Sequence, residues 1–273
     1  AGSWYPASRS SCEEKIKSFI DENLVLKSED LLKIAGIVPH AGWVFSGKTA
    51  CNVIKILSED NGCDTVVVFG SHMGPNDRNF LMNDGFWDTP LGELKIDSEI
   101  ASGLCKKFDF IVETAHSFQP DNTIELQLPF IKYFFEDVQI VPIGIAPRGD
   151  SLDIVDYIID NFKDKSIKYI GSTDLTHYGP NYGFSPHGIG YESVEWVKNE
   201  NDKKIIDLMV SLDEDSIINE AFTSHNVCCP GAVVSTIHAG VKNGAKKGEL
   251  LEYTTSYDIS PSNSFVGYAG IVF

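Results

Sequence analysis

The chain has 273 residues, 42% of them apolar and 11% aromatic, with a formal net charge of −17. That apolar share can fill a sizeable core and excludes a disordered chain, while the acidic balance excludes nucleic acid and anionic membrane as main partners, because both bind basic patches. No apolar run approaches the roughly 20 residues of a membrane span, and the opening AGSWYPASRSSCEEK lacks the basic stretch and apolar core of a secretory signal.

In chain order, residues 12–21 are predicted to form a helix and 34–38 a strand. Residues 47–58 are predicted helical because Ala50, Val53, Ile54 and Leu57 make an apolar stripe at helical spacing. Residues 65–70, TVVVFG, are continuous and β-branched, the pattern of a strand buried on both faces. Residues 79–82, 87–89 and 94–96, separated by turn residues, suggest smaller antiparallel pieces. A helix at 98–108, a strand at 138–145, a helix at 150–162 and a strand at 167–172 follow. Helices at 202–211 and 231–243 and strands at 250–255 and 264–273 complete the chain. No repeat or linker interrupts it, so one domain spanning 1–273 is expected. Strands mixed with helices in this order point to an α/β fold, a central mixed β-sheet flanked by helices on both faces.

Six cysteines are too sparse for a disulfide framework, and no CxxC pair occurs. A reducing, cytoplasmic setting is the expectation.

In open α/β sheets, ligands bind beyond the carboxyl ends of the strands. Just past the predicted strands stand His40, His72, and the pair Asp174 and His177. Three of the seven histidines thus fall at one predicted edge, where a lone loop histidine would carry little meaning. Gly42 and Gly70 leave room for close approach of the backbone there, or simply relieve crowding. Asp121-Asn122-Thr123-Ile124-Glu125 reads first as a helix cap, with Glu125 as a candidate to orient a histidine. His225-Asn226-Val227-Cys228-Cys229-Pro230 precedes a helix, where a thiol is either activated or a buried inert group.

These motifs coincide with a known family. AGSWYP, IVPHAGWVFSG, FGSHMGP, IELQLPF, GSTDLTHYG, HNVCCPG and VGYAGIVF stand in the order found in Memo-like proteins. The chain resembles that family, which takes in the mediator of cell motility and AmmeMemoRadiSam system protein B, from Ala1 to Phe273. The resemblance implies a fold like the class III extradiol non-haem iron dioxygenases. It implies a mononuclear metal site on His40, His72 and Cys229, with Cys228 as the alternative thiolate. Fe(II) is the first expectation, with copper or zinc next, since a thiolate softens the ligand set. In the dioxygenase reading His177 is the general acid or base, oriented by Asp174 or Glu125. Trp43 and Tyr178 are expected to line an aromatic-accepting cleft or to pack in the core.

One departure stands out: Asn122 occupies a position where relatives carry histidine, and an amide cannot shuttle a proton near neutral pH. The functional expectations are therefore three. The first is a metal-dependent oxidoreductase on a small molecule. The second is an adaptor that holds a peptide ligand in a vestigial cleft, and the third a protein that handles iron or copper. Radical-SAM system proteins are the partners implied by the resemblance alone. His238 is read as a solvated helix residue and His187 as part of a loop over the cleft.

Overall fold

The computed structural model describes residues 1–28, 31–59 and 62–273. The chain runs α1 (Arg9–Phe19), β1 (Ala35–Val38), α2 (Trp43–Leu57), β2 (Thr65–Gly70), β3 (Phe80–Met82), β4 (Phe86–Thr89), β5 (Gly92–Ile96), α3 (Ser98–Lys107) and β6 (Ile111–Glu113). It continues through α4 (Asn122–Glu125), α5 (Leu128–Phe134), β7 (Gln139–Gly144), α6 (Asp150–Asn161), β8 (Ile167–Ser172) and β9 (His177–Tyr178). The last third holds α7 (Tyr191–Trp196), a π-helical turn at Val197–Asn201, α8 (Asp202–Ser211), α9 (Glu214–Ser224), α10 (Pro230–Lys242), β10 (Glu249–Thr255), α11 (Ser256–Ile259) and β11 (Phe265–Val272).

The strands form one mixed sheet in the order β10-β11-β1-β8-β2-β7-β3-β6. Its centre, β1-β8-β2-β7, is parallel, and antiparallel strands flank it on both sides. The β4–β5 hairpin joins through β5 against β7, and the short β9 pairs with β11. Every residue of β1, β2 and β8 is buried, as continuous apolar runs require of central parallel strands.

Glycines reveal how the helices cover this sheet. A Cβ on Gly36 would meet Val53 and Leu57 of α2, while one on Gly171, the register partner of Ile37, would meet Ala232 and Thr236 of α10. Adjacent strand positions face opposite ways, so α2 and α10 lie on opposite faces of the sheet. Both helices sit closer than a side chain would permit. A continuous core joins the two layers through Val53, Leu57, Val67, Ile170, Val233 and Ile237. No helix among the described residues is long and apolar enough to cross a membrane.

His238, expected on a solvated face, is instead 6% exposed. Its Nδ1 lies 2.9 Å from Glu214 and its Nε2 3.0 Å from Asp156, so it ties α10 to α9 and α6. The apolar face of α10 is too wide for the helix to keep His238 in water, and two carboxylates satisfy both ring nitrogens.

Candidate metal centre

Three neighbouring parallel strands end at the same edge of the sheet, and each delivers a site residue just beyond its last position. β1 leads to His40, β8 to Asp174 and β2 to His72. The turn after β2 depends on Ser71, whose φ of 80° lies in the left-handed region. A non-glycine residue there costs on the order of 1 kcal/mol. The neighbouring α4 holds it: Ser71 N donates to Thr123 Oγ1 at 2.7 Å and Ser71 Oγ to Asp121 Oδ2 at 3.2 Å. The fourth contribution comes from the start of α10, where Cys229 is the N-cap residue and Cys228 precedes it.

His40 Nε2 lies 3.2 Å from His72 Nε2 and 3.4 Å from Cys228 Sγ, and Cys228 Sγ lies 3.7 Å from Cys229 Sγ. All four donor atoms fall within 4.8 Å of one another, a group able to hold a metal ion. His40 and Cys229 are 2% and 1% exposed, whereas His72 forms the exposed rim. The expected trio of His40, His72 and Cys229 is thus brought together, and Cys228 stands with it, its sulfur against His40.

Hydrogen bonding fixes which nitrogen of His40 faces the cluster. Ser172 Oγ donates its only proton to Thr123 O at 2.6 Å. It can therefore only accept from its other two neighbours, Gln127 Nε2 at 3.3 Å and His40 Nδ1 at 3.2 Å. Nδ1 therefore carries a proton, and Nε2 is the nitrogen turned toward the cluster. His72 follows the same logic less tightly, with Asp121 Oδ2 3.7 Å from its Nδ1, an ion-pair separation that places the carboxylate behind the ring. Both arrangements match metal-binding histidines, whose second nitrogen is turned toward an acceptor. Asp121, which reads in sequence as a cap, serves both ends: it also accepts from Thr123 N at 2.7 Å.

The charges of the cluster are interdependent. Asp121 and Cys228 raise the His72 imidazole to about 10, although burial opposes its charge. Burial works against the Asp121 carboxylate too, yet His72 and Thr123 hold it down at about 2. Burial likewise opposes a Cys228 thiolate, but Cys229, His40 and His72 outweigh it and lower the thiol. Asp174 N adds a hydrogen bond to Cys228 Sγ at 3.2 Å. Burial and the neighbouring Cys228 charge drive Cys229 the other way. Asp174, 4% exposed, is raised by burial and accepts from His40 N at 2.7 Å. The edge thus pairs a thiolate with a histidine held in its charged form.

The other expected residues separate. His177 borders the same cleft as His40, His72 and Asp174. Its Nδ1 donates to Leu175 O at 3.1 Å, which leaves Nε2 as an acceptor. The orienting role expected of Asp174 or Glu125 therefore falls to a backbone carbonyl. Glu125 accepts instead from Tyr5 OH at 2.9 Å and from the Ala1 amine at 3.1 Å. Asn122 borders the cleft and donates to His40 O at 2.9 Å, tethering the backbone there. Trp43 both borders the cleft and stacks on Phe130 at 4.2 Å, so its two expected roles are one. Tyr178 is fully buried in a separate aromatic cluster. His187 stacks on Trp196 at 4.1 Å beside a different hollow.

The cleft is about 1040 Å³, walled by Trp4, Trp43, Tyr182 and Tyr268 with serines at one side. Ser172 and Gln127 escaped notice in the sequence: a strand-end serine and a helical glutamine carry no signal until His40 is placed beside them.

The fold and site together define an α/β protein with a His/Cys cluster at the carboxyl edge of its parallel strands, facing an aromatic cleft. The chain belongs to the Memo family: the Memo-like protein family matches residues 1–272. It is similar to the MEMO1 family protein of Thermococcus onnurineus, 37% identical over all of this chain and 97% of that one. The MEMO1 family protein of Methanopyrus kandleri is 34% identical over all of this chain and 96% of its own length. That of Nitrosopumilus maritimus is 29% identical over all of this chain and 97% of its own.

Proposed function

We propose that the chain holds one metal ion between His40, His72 and the thiolate of the Cys228–Cys229 pair, and acts as a metal-dependent oxidoreductase on a small aromatic molecule bound in the cleft. Fe(II) is the first choice of ion, with copper or zinc as alternatives, in keeping with a mixed imidazole and thiolate set. The observation that carries this reading is the facing pair of Nε2 atoms at 3.2 Å with Cys228 Sγ beside them. With Nδ1 of His40 committed to Ser172, its Nε2 points at a second imidazole and a sulfur, and a shared cation would take the place of any proton held between them. When bound, such an ion would supply Lewis-acid or redox chemistry at the cleft wall.

The chain's own groups have distinct tasks. Trp4 and Tyr182, half-exposed at the cleft, offer aromatic surface to a flat ligand. His177 Nε2, left as an acceptor by the Leu175 hydrogen bond, takes a proton from a ligand hydroxyl. Asp174 holds the His40 backbone, and Asn122 positions the His40 carbonyl without taking part in proton transfer. An extradiol-dioxygenase-like chemistry fits these roles.

The adaptor reading finds less support. Phosphate-bearing peptides are held by clusters of arginine, and Lys15 is the only lysine or arginine among the described residues that line the cleft. Metal analysis of anaerobically purified protein, wild type beside His40→Ala and His72→Ala, tests the centre. Near-stoichiometric iron, copper or zinc in wild type and its loss in both variants is the expected result. Wild-type protein that takes up none of the three overturns the proposal. Oxygen uptake across a panel of catechols tests the chemistry; metal binding with uniform silence there would leave metal handling as the function.

A further inference from the structure

The two cysteines are consecutive, yet their sulfurs lie on the same side of the chain, 3.7 Å apart. Consecutive residues in extended backbone send their side chains in opposite directions. Here the chain turns at Cys229, with φ −127° and ψ 65°, as it enters α10. The turn swings both thiols toward the same two imidazoles. An unliganded structural cysteine behaves as a small apolar group. Cys229 is 1% exposed, but its sulfur sits within 4.8 Å of two ring nitrogens and a second sulfur.

We infer that Cys228 and Cys229 both bind the same ion as His40 and His72, completing a tetrahedral site of two imidazoles and two thiolates. The inference rests on the metal centre proposed above and adds the count and identity of its donors. Three of the six donor separations match such an ion, and the other three lie within 4.8 Å. A tetrahedral ion with metal–nitrogen bonds of about 2.0–2.1 Å and metal–sulfur bonds of about 2.3 Å spaces its donors about 3.3 Å (N···N), 3.6 Å (N···S) and 3.8 Å (S···S) apart. The cluster shows 3.2, 3.4 and 3.7 Å for His40–His72, His40–Cys228 and Cys228–Cys229. The sulfur pair is far too distant for a disulfide, whose bond is about 2.05 Å, and is spaced as two ligands of one ion would be.

The surroundings turn donors and a helix end toward the sulfur pair. Asp174 N donates to Cys228 Sγ, and α10, 13 residues long, directs the positive end of its dipole at the pair. Two thiolates would balance the charge of a divalent ion. The result is four protein donors rather than three. Such a set selects tetrahedral, thiophilic ions such as Zn(II), Fe(II) or Cu(I) over Mg(II) or Mn(II). A ligand in the cleft reaches the ion only as a fifth donor, from the side where His72 forms the rim.

Cobalt(II) is the probe. The full chain, loaded anaerobically with Co(II), is compared with Cys228→Ser and Cys229→Ser. Sulfur-to-cobalt charge transfer in the near ultraviolet scales with the number of thiolates, and intense visible bands mark four-coordination. Wild type is expected to show intense visible bands, and each serine variant to keep about half the charge-transfer intensity per bound cobalt. A Cys229→Ser spectrum that matches wild type in both regions overturns the inference while leaving the metal centre intact. Wild-type protein that binds neither Co(II) nor Zn(II) removes the centre itself. X-ray absorption at the zinc edge of the wild-type protein repeats the test without any variant: two sulfurs and two nitrogens are expected, and a single sulfur refutes the assignment.

Discussion

Ser172→Ala removes a hydroxyl that touches neither the cleft nor the proposed ion, and its effect follows from the hydrogen-bond chain behind His40. Ser172 is fully buried. Its oxygen accepts from His40 Nδ1 and Gln127 Nε2 while its proton goes to Thr123 O. Gln127 keeps Pro39 O as a partner at 2.9 Å, and Thr123 O keeps a long contact with Gln127. His40 Nδ1 has no second hydrogen-bond partner among the described residues. One buried donor left unpaired costs roughly 1–3 kcal/mol, which sets the expected loss of stability in urea unfolding. The imidazole also loses the acceptor that selects its tautomer, and losses of this kind weaken metal binding about 10–100-fold. Competition against a chromogenic chelator measures that drop on protein whose circular dichroism matches wild type. Ser172→Thr, which restores the oxygen, should recover most of the affinity. If Ser172→Ala binds metal within about twofold of wild type, the tautomer argument fails.

Further perturbations address the scaffold. A methyl on Gly70 would stand 2.4 Å from Thr123 Oγ1 and 2.7 Å from Ile124 Cγ1, so Gly70→Ala should destabilise the fold by roughly 1–3 kcal/mol and displace α4; unchanged urea unfolding would contradict this. Burial raises the Asp202 carboxyl to about 6, despite donors from Thr176 and Tyr253. Because the folded state favours the protonated form, stability from this group is full below about pH 4 and is lost as pH rises through 6, by about 3 kcal/mol. Asp202→Asn should flatten that part of the stability profile, and an identical slope in the variant would refute the assignment. His238→Ala releases Glu214 and Asp156 from the buried tie between α10, α9 and α6; a loss of roughly 1–3 kcal/mol is expected, and a change under about 0.5 kcal/mol would show the tie to be inert.

Much of the scaffold was readable because its central strands carry an unambiguous signal. The runs 65–70 and 167–172 match β2 and β8 residue for residue, since buried parallel strands are continuous in apolar character and end at polar corners. Helix starts were harder. α2 begins at Trp43 rather than residue 47 because Gly42 caps it without a side-chain hydrogen bond, leaving no local mark. α9 passed unseen although Asp213 caps it and two acidic residues follow, a legible start masked by a polar helix. His40, His72 and Asp174 could be placed by strand ends alone, because adjacent parallel strands put equivalent positions side by side. The position of Cys228 could not: which of two neighbouring sulfurs meets an imidazole depends on a single backbone turn at Cys229. Glu125 reads as a plausible orienting carboxylate, and only the path of the N-terminal segment shows Tyr5 occupying it.

The donors at the sheet edge come from positions 40, 72 and 228–229, and nothing in an unfolded chain keeps them near one another. An ion gripped there would therefore act as a clasp that closes three distant loops at once, and its binding energy would add to the resistance of the whole molecule to unfolding. At a free concentration 100 times its dissociation constant, the gain is about 2.7 kcal/mol. Cellular metal supply would then govern how long the protein survives, quite apart from any reaction it performs.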